Sequence, residues 1–401
     1  MKFSQRIQRV QPSMTLAITA KAAEMRAQGI DVIGFGAGEP DFDTPWHVRQ
    51  AGIRAIENND THYTPVPGTN ALRQAIVDKF KNDNGLHYEK SQIVVSCGAK
   101  QSFYNLAQVL WEEGDEIIIP APYWVSYPEM VLLANAEPVI VATSAENDFK
   151  ITPEQIDAAV TPNSRAIVIN SPSNPTGSAY TLQELKAITD CALKHGLLMI
   201  SDEIYEKIVF DGFEPVCLAS LGKEVQENSV IINGASKGFA MTGWRIGYIA
   251  ASVEIAKAVT KLQGQCTSGA SSISQAAMVE ALNGPSDEIH VMVDEFCKRR
   301  DYVVNRINKM QGVSCYNPVG AFYVFPDFSK LYSKAWNGAP LEGSLRFAEF
   351  LLTEAKVALV PGIAFGADAN QRLSFASSMQ NLETGLNRIE EAINSLPGHE
   401  S

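Results

Sequence analysis

The feature that most constrains the fold is a series of short, almost continuously apolar segments in the middle of the 401-residue chain. These segments are rich in isoleucine and valine and lie at 93–97, 116–120, 138–143, 165–170, 197–203 and 229–234. Stretches with helical spacing, such as 101–114 and 181–196, separate several of them. Strands that are apolar on both faces and alternate with helices are typical of a parallel sheet covered on both sides. The pattern predicts an α/β fold with ligands at the carboxyl ends of the strands.

The last hundred residues show a different pattern. A long helical pattern covers about residues 285–310. Three short strand candidates follow it, at 321–327, 357–362 and 371–376. This arrangement predicts a smaller α+β domain that the N-terminal segment completes. We therefore expect a large domain at residues 49–295 and a small domain formed by residues 1–48 and 296–401.

Composition and charge argue against several classes of function. The chain is 45% hydrophobic and 19% charged, which is typical of a globular protein with a substantial core. Its net charge of −12 does not suit a nucleic-acid-binding surface. No apolar stretch approaches the roughly 20 residues that span a bilayer, and the N-terminus lacks the apolar core of a secretory signal. We expect a cytoplasmic protein with neither nucleic acid nor membrane as a partner.

Cysteines and histidines give no metal-binding pattern. The six cysteines form no CxxC pair, and the six histidines form no HxH or HxxxH pair. We expect no metal site, and we interpret the cysteines as mostly buried, small apolar residues.

Polar and charged residues lie at the ends of four of the predicted strands or in the segments that follow them. In chain order they are Gly98, Ala99, Lys100, Asn174, Asp202, Tyr205, Ser236, Lys237 and Arg245. Each taken alone is explained by a turn, a helix cap or a lysine that reaches solvent, but all of them fall at one edge of the predicted sheet. A helix N-terminus and an arginine bind phosphate, a carboxylate pairs with a protonated pyridine nitrogen, and a lysine amine bonds to a carbonyl. Pyridoxal phosphate (PLP) presents all of these groups, together with a phenolic oxygen that asparagine and tyrosine can contact.

At this point the sequence resembles the class I, fold-type I aminotransferases, and within them the bacterial aspartate aminotransferase branch. The matching stretches are GAGEPDFDTP (36–45), YTPVPG (63–68), APYWVSYPE (121–129), NSPSNPTG (170–177), SDEIYE (201–206), ASKGFAMTGWRIGY (235–248), GAFYVFPD (320–327) and RLSFA (372–376). They occur in the family's order and cover most of the chain. The resemblance implies a PLP-dependent transferase with a large and a small domain. It also implies a homodimer whose active sites lie at the subunit interface.

The resemblance also implies roles toward the cofactor. Lys237 is implied to be the Schiff-base lysine, which also moves the substrate proton, and Asp202 the partner of the pyridine nitrogen. Asn174 and Tyr205 match the donors to the phenolic oxygen. Tyr63 matches a tyrosine that reaches the phosphate from the other subunit. The phosphate-binding pattern covers Gly98, Ala99, Lys100, Ser236 and Arg245.

Substrate contacts follow from the same resemblance. Arg372 matches the arginine that binds the substrate α-carboxylate, and Gly38 matches a backbone contact from the N-terminal loop. Trp124 matches the aromatic residue that stacks on the cofactor ring, and it borders the substrate together with Asn174. In this branch the position of Lys100 is associated with the distal carboxylate of acidic substrates. We therefore expect transfer of the amino group of L-aspartate to 2-oxoglutarate, giving oxaloacetate and L-glutamate.

The sequence bears on four alternatives to this expectation. Broader, aromatic or alanine specificity stays open, as does β-lyase chemistry on the same scaffold. Members that use prephenate carry a lysine where this chain has Gln11, which argues against that substrate. A nicotinamide dehydrogenase is rejected because GFGAGE (34–39) ends in Glu39 and no helical pattern follows it.

Overall fold

A computed structural model describes residues 2–12 and 14–397 of the chain. Its α-helices are α1 (Gln5–Arg9), α2 (Met14–Ala27), α3 (Trp46–Glu57), α4 (Asn70–Asn84), α5 (Ala99–Leu110), α6 (Ser126–Leu133), α7 (Pro153–Ala159), α8 (Leu182–Lys194), α9 (Lys223–Glu227), α10 (Val253–Cys266), α11 (Ser272–Asn283), α12 (Asp287–Ile307), α13 (Gly343–Phe350) and α14 (Met379–Asn394). Its strands are β1 (Ile33–Gly34), β2 (Ile93–Ser96), β3 (Glu116–Ala121), β4 (Glu137–Ala142), β5 (Ser164–Asn170), β6 (Leu198–Asp202), β7 (Ser229–Gly234), β8 (Gly247–Ala250), β9 (Tyr323–Val324), β10 (Ala335–Trp336), β11 (Ala339–Pro340), β12 (Val357–Ala358), β13 (Val360–Pro361) and β14 (Gln371–Ser374).

The largest sheet has seven strands in the order β2-β8-β7-β6-β5-β3-β4. All pairs are parallel except those of β8, which runs antiparallel to both β2 and β7. This confirms the predicted α/β fold with a mostly parallel sheet. The six apolar segments of the sequence are β2 to β7, and β8 was not predicted.

The apolar strands are explained by a core on each face of this sheet. Ile167 in β5 and Ile231 in β7 belong to one hydrophobic cluster, whereas their neighbours Val168 and Ile232 belong to the other. Because successive side chains of a strand point to opposite faces, both faces must be apolar when helices cover both. Burying each such side chain contributes about 1.5–3 kcal/mol.

Helix caps fix the ends of two helices on the outside of this sheet. Thr152 accepts from the backbone N–H of Gln155 at the start of α7, and the Gln155 side chain reaches back to Thr152. Thr181 and Glu184 form the same reciprocal box at the start of α8. Each such cap contributes about 1 kcal/mol to helix stability. The predicted helical pattern at 181–196 is α8.

The remaining strands form three small sheets, one of which pairs a strand near the N-terminus with a strand near the C-terminus. β1 pairs in parallel with β12, and β14 lies between β13 and β9 in an antiparallel sheet. We propose that residues 49–295 form the large domain, and residues 1–48 and 296–401 the small one. The pairing of β1 with β12 supports this division. The two proposed boundaries fall inside the helices α3 and α12.

No helix in the described part of the chain is long and apolar enough to cross a membrane.

Candidate active site

A cavity of about 380 Å³ lies at the carboxyl ends of the central strands. Its volume is within the range of small-molecule sites. The structure brings these predicted residues into its lining: Gly38, Ala99, Lys100, Trp124, Asn174, Asp202, Tyr205, Ser236, Lys237, Arg245 and Arg372. They come from loops and strand ends far apart in sequence, because the carboxyl ends of parallel strands meet at one sheet edge.

Two predicted residues lie outside the lining of this cavity. Gly98 is the N-cap of α5 and has a φ of 90°, where a Cβ would lie 2.5 Å from Nη2 of Arg245. Glycine is therefore required for the arginine to approach the turn. Tyr63 is 99% exposed, so within a single chain it contacts neither the cavity nor the core.

One end of the cavity is suited to an anion. The N-terminus of α5 presents the backbone of Ala99, and free N–H groups at a helix start attract negative charge. The guanidinium of Arg245 donates to the carbonyl of Thr242 (2.9 Å) and forms no ion pair among the described residues. A Cβ on Gly247 would lie 2.3 Å from the nitrogen of Ala99, so β8 packs directly against this turn.

Asp202 ends β6 as a buried carboxylate. Its Oδ2 accepts from the hydroxyl of Tyr127 (2.7 Å), and its Oδ1 accepts from the backbone N–H of Ile204 (3.2 Å). Burial raises the pKa of Asp202 to about 6, although both hydrogen bonds lower it. A cationic ring nitrogen beside it would favour the charged carboxylate.

Lys237 follows β7 and points its amine into the cavity. Nζ donates to the backbone carbonyl of Gly38. Burial lowers the pKa of Lys237 to about 8, and the nearby Glu39 carboxylate partly opposes that effect. A lysine with a lowered pKa supplies more of the neutral amine that nucleophilic and general-base chemistry require.

Arg372 is a buried cation that lacks a carboxylate partner in the described part of the chain. It is 3% exposed, and it donates to Oδ1 of Asn174 (2.9 Å) and to the carbonyl of Gly36 (2.7 Å). Its guanidinium lies 4.6 Å from the ring centre of Tyr323, and its Nε has no hydrogen-bond partner. Burial lowers the pKa of Arg372. An unpaired buried guanidinium with spare donors is suited to a carboxylate ligand.

The aromatic residues of the site contact one another, and one of them also contacts a lysine side chain. The hydroxyl groups of Tyr205 and Tyr323 lie 2.9 Å apart, and both rings are buried. Nζ of Lys100 lies 5.0 Å from the ring centre of Trp124, within the range of a cation–π contact. Burial is the main cause that lowers the pKa of Lys100, and Arg245 lowers it further.

Sequence reasoning did not single out Tyr127 or Tyr323, although both lie in stretches that match the family. Tyr127 bonds to Asp202, and its ring meets Trp124 edge-to-face at 5.1 Å. Tyr323 contacts both Tyr205 and Arg372. The sequence around Tyr127 and Tyr323 does not indicate these contacts, because they form only when the chain has folded.

The residues of the cavity fit the cofactor that the sequence implied. The α5 N-terminus and Arg245 would hold a phosphate, and Asp202 would hold a protonated ring nitrogen. The amine of Lys237 lies in the same cavity and would bond to an aldehyde. The unpaired Nε of Arg372 leaves a carboxylate-binding group free for the substrate.

Comparisons with known proteins agree with this chemistry. A family model for aminotransferases of class I and II matches residues 30–389. The aspartate aminotransferase of Geobacillus stearothermophilus is 49% identical over 392 residues, covering 97% of this chain and 98% of that protein. The aspartate/prephenate aminotransferase of Nitrosomonas europaea is 46% identical, covering 97% and 99%. A crystal structure of the Rhizobium meliloti aspartate aminotransferase superposes with a TM-score of 0.96 at 43% identity, covering 99% of this chain and 100% of that one. The chain therefore belongs to the class I and II aminotransferase family and is a PLP-dependent enzyme.

Proposed function

We propose that the protein transfers the amino group of L-aspartate to 2-oxoglutarate, giving oxaloacetate and L-glutamate. The observation that carries this proposal is the charge of the cavity. Four cationic side chains line it, and none forms an ion pair among the described residues: Lys100, Lys237, Arg245 and Arg372. Once a phosphate is assigned to Arg245 and the amine chemistry to Lys237, two cations remain for the two carboxylates of a dicarboxylic substrate. The relatives named as aspartate aminotransferases support the same assignment.

PLP, when bound, supplies a ring that accepts the electrons of the bond broken at the substrate Cα. Asp202 would keep the ring nitrogen protonated, since Tyr127 and the N–H of Ile204 stabilise its charged form. Asn174 and Tyr205 would lie against the phenolic oxygen. Asn174 offers its amide N–H₂ there, because its Oδ1 already accepts from Arg372.

Lys237 is the group that would move the proton. In its neutral form Nζ would accept a proton from the substrate Cα as a general base, and would then donate it as a general acid to the carbon of the bound cofactor on the same side of the site. Arg372 orients the substrate by its α-carboxylate, and Lys100 would select those with a second carboxylate. Because both keto acids use the same arginine, they must bind in turn, which gives ping-pong kinetics.

We also propose that the protein acts in the cytoplasm as a homodimer with shared active sites. The dimer with shared active sites is supported by Tyr63, which lies in a stretch that matches the family yet is 99% exposed in the single chain. A large aromatic residue in that position is explained if it reaches into the cavity of the partner subunit.

The shared site is tested by combining two variants that each impair the site in a different way. A dimer of Tyr63→Phe and Lys237→Ala chains should contain one site free of both changes if Tyr63 crosses the interface. We therefore expect co-expressed variants, purified as mixed dimers with two affinity tags, to recover activity well above either homodimer. Absence of recovery in a verified mixed dimer would mean that Tyr63 serves its own chain.

Substrate selection is tested with Lys100→Ser. A charge-assisted contact that is partly buried is worth about 1.5–3 kcal/mol, so kcat/KM for aspartate should fall about 10- to 100-fold. The value for phenylalanine should change little, because phenylalanine lacks the distal carboxylate. Both values are measured at saturating PLP.

An unchanged ratio of kcat/KM for aspartate to kcat/KM for phenylalanine would contradict the proposed specificity while leaving the aminotransferase assignment intact.

The products of the reaction decide between transamination and β-elimination. A keto acid with pyridoxamine phosphate indicates transamination, whereas pyruvate with ammonia indicates a lyase.

A further inference from the structure

Three side chains with metal-ligand atoms meet on the outer helices, outside the active-site cavity. They are Asp157 of α7, Cys191 of α8 and His195, the C-cap of α8, and their ligand atoms all lie within 4.8 Å of one another. Oδ1 of Asp157 lies 3.6 Å from Sγ of Cys191 and forms a short contact with Nε2 of His195. No step proposed for amino transfer uses any of these groups.

The helices hold this cluster in place. Cys191 and His195 are four residues apart, so they project from the same face of the end of α8. Asp157 faces them from α7, which packs against α8. Reciprocal caps fix the starts of both helices. The three ligand atoms are therefore brought together by the fold itself.

We propose that Asp157, Cys191 and His195 form a Zn²⁺ site, with water in the fourth position. Thiolate, imidazole and carboxylate are the ligands that zinc prefers. Tetrahedral bonds of about 2.0–2.3 Å place ligand atoms about 3.2–3.8 Å apart. The distance of 3.6 Å between Sγ of Cys191 and Oδ1 of Asp157 lies in this range. Nε2 of His195 and Oδ1 of Asp157 are closer, at 2.5 Å, so these two atoms must move apart when the metal binds.

One cation competes for the same carboxylate. Nζ of Lys194 donates to Oδ1 of Asp157 at 3.0 Å, so this contact must break when a metal binds. The Lys194 side chain is 64% exposed and can move into solvent at little cost. Replacing Lys194 with an uncharged residue should therefore strengthen zinc binding. If Lys194 and Asp157 formed only an ordinary surface ion pair, this substitution would have no effect on zinc binding.

The site lies at the opposite end of the sheet from the cavity. His195 precedes the start of β6, whereas Asp202 ends that strand. Five residues of strand span about 15 Å. The metal would therefore have a structural role in linking α7 to α8, and it would take no part in amino transfer.

The test is titration of the purified holoenzyme with Zn²⁺ in competition with a chromogenic chelator. We expect one site per chain. Cys191→Ser, His195→Gln and Asp157→Asn should each weaken it by at least about 10- to 100-fold, the loss typical of a lost supporting contact at a metal site. Lys194→Gln should tighten it. Cys266→Ser is the matched control, because Cys266 is an exposed cysteine outside the cluster.

Aminotransferase activity and the circular dichroism spectrum verify that each variant is folded. His195 and Asp157 are not buried, so their variants keep the test valid if Cys191→Ser folds poorly. The proposal is overturned if no 1:1 site is found, if Cys266→Ser abolishes binding, or if the His195 and Asp157 variants bind zinc as tightly as the parent. An affinity that Lys194→Gln does not raise would show that Asp157 is not a ligand.

Discussion

Replacing Lys237 with alanine should abolish amino transfer while leaving PLP bound. The amine of Lys237 is the general base proposed at the substrate Cα, and such groups contribute about 10²- to 10⁴-fold to the rate. Arg245, the proposed phosphate-binding residue, and the carboxylate of Asp202 are unchanged in this variant, so the cofactor should still bind. Single-turnover reaction with aspartate, followed by the cofactor absorbance, measures the loss.

Lys100 provides an internal control for this assignment. It lines the same cavity, and its pKa is lowered by burial as well. Borohydride treatment of the parent enzyme should attach the cofactor to the peptide that contains Lys237 and leave Lys100 unlabelled. Label on Lys100, or turnover of Lys237→Ala near the parent rate, would remove Lys237 from its proposed role.

Much of the fold follows from local sequence because the strands are buried on both faces. The segment 229–234 coincides with β7, and 165–170 differs from β5 by one residue. Strand β8 was not predicted because it begins with Gly247 and runs against the direction of its neighbours. Neither length nor alternation marks such a strand before its partners are known.

The residues of the cavity also differ in whether the local sequence could predict them. Asp202 and Lys237 could be predicted because Asp202 ends one strand, Lys237 follows another, and the carboxyl ends of both strands lie at the same sheet edge. Arg372 lies on β14 in a separate sheet, and only the resemblance to the family placed it with them. Tyr127 could not be predicted, because its bond to Asp202 depends on how α6 packs beside the sheet.

The second large effect is expected at Arg372. Its guanidinium is proposed to bind the α-carboxylate that every amino-acid substrate carries. Two charge-assisted hydrogen bonds at about 1.5–3 kcal/mol each correspond to about 10²- to 10⁴-fold in kcat/KM. Arg372→Leu should therefore lower kcat/KM by this factor for aspartate and phenylalanine alike, whereas Arg372→Lys keeps the charge but loses the paired geometry and should fall between.

The ratio of kcat/KM for aspartate to that for phenylalanine in Arg372→Leu distinguishes α-carboxylate binding from a structural role of Arg372 and from the role proposed for Lys100. Arg372 also bonds to Asn174 and to the carbonyl of Gly36, so its loss could disturb the site generally. PLP affinity and circular dichroism measure that disturbance, and both should stay near the parent values. If aspartate loses much more than phenylalanine in Arg372→Leu, the arginine binds the distal carboxylate. The α-carboxylate would then have to be assigned to another cation of the cavity, and Lys100 is the one left without a phosphate or amine role.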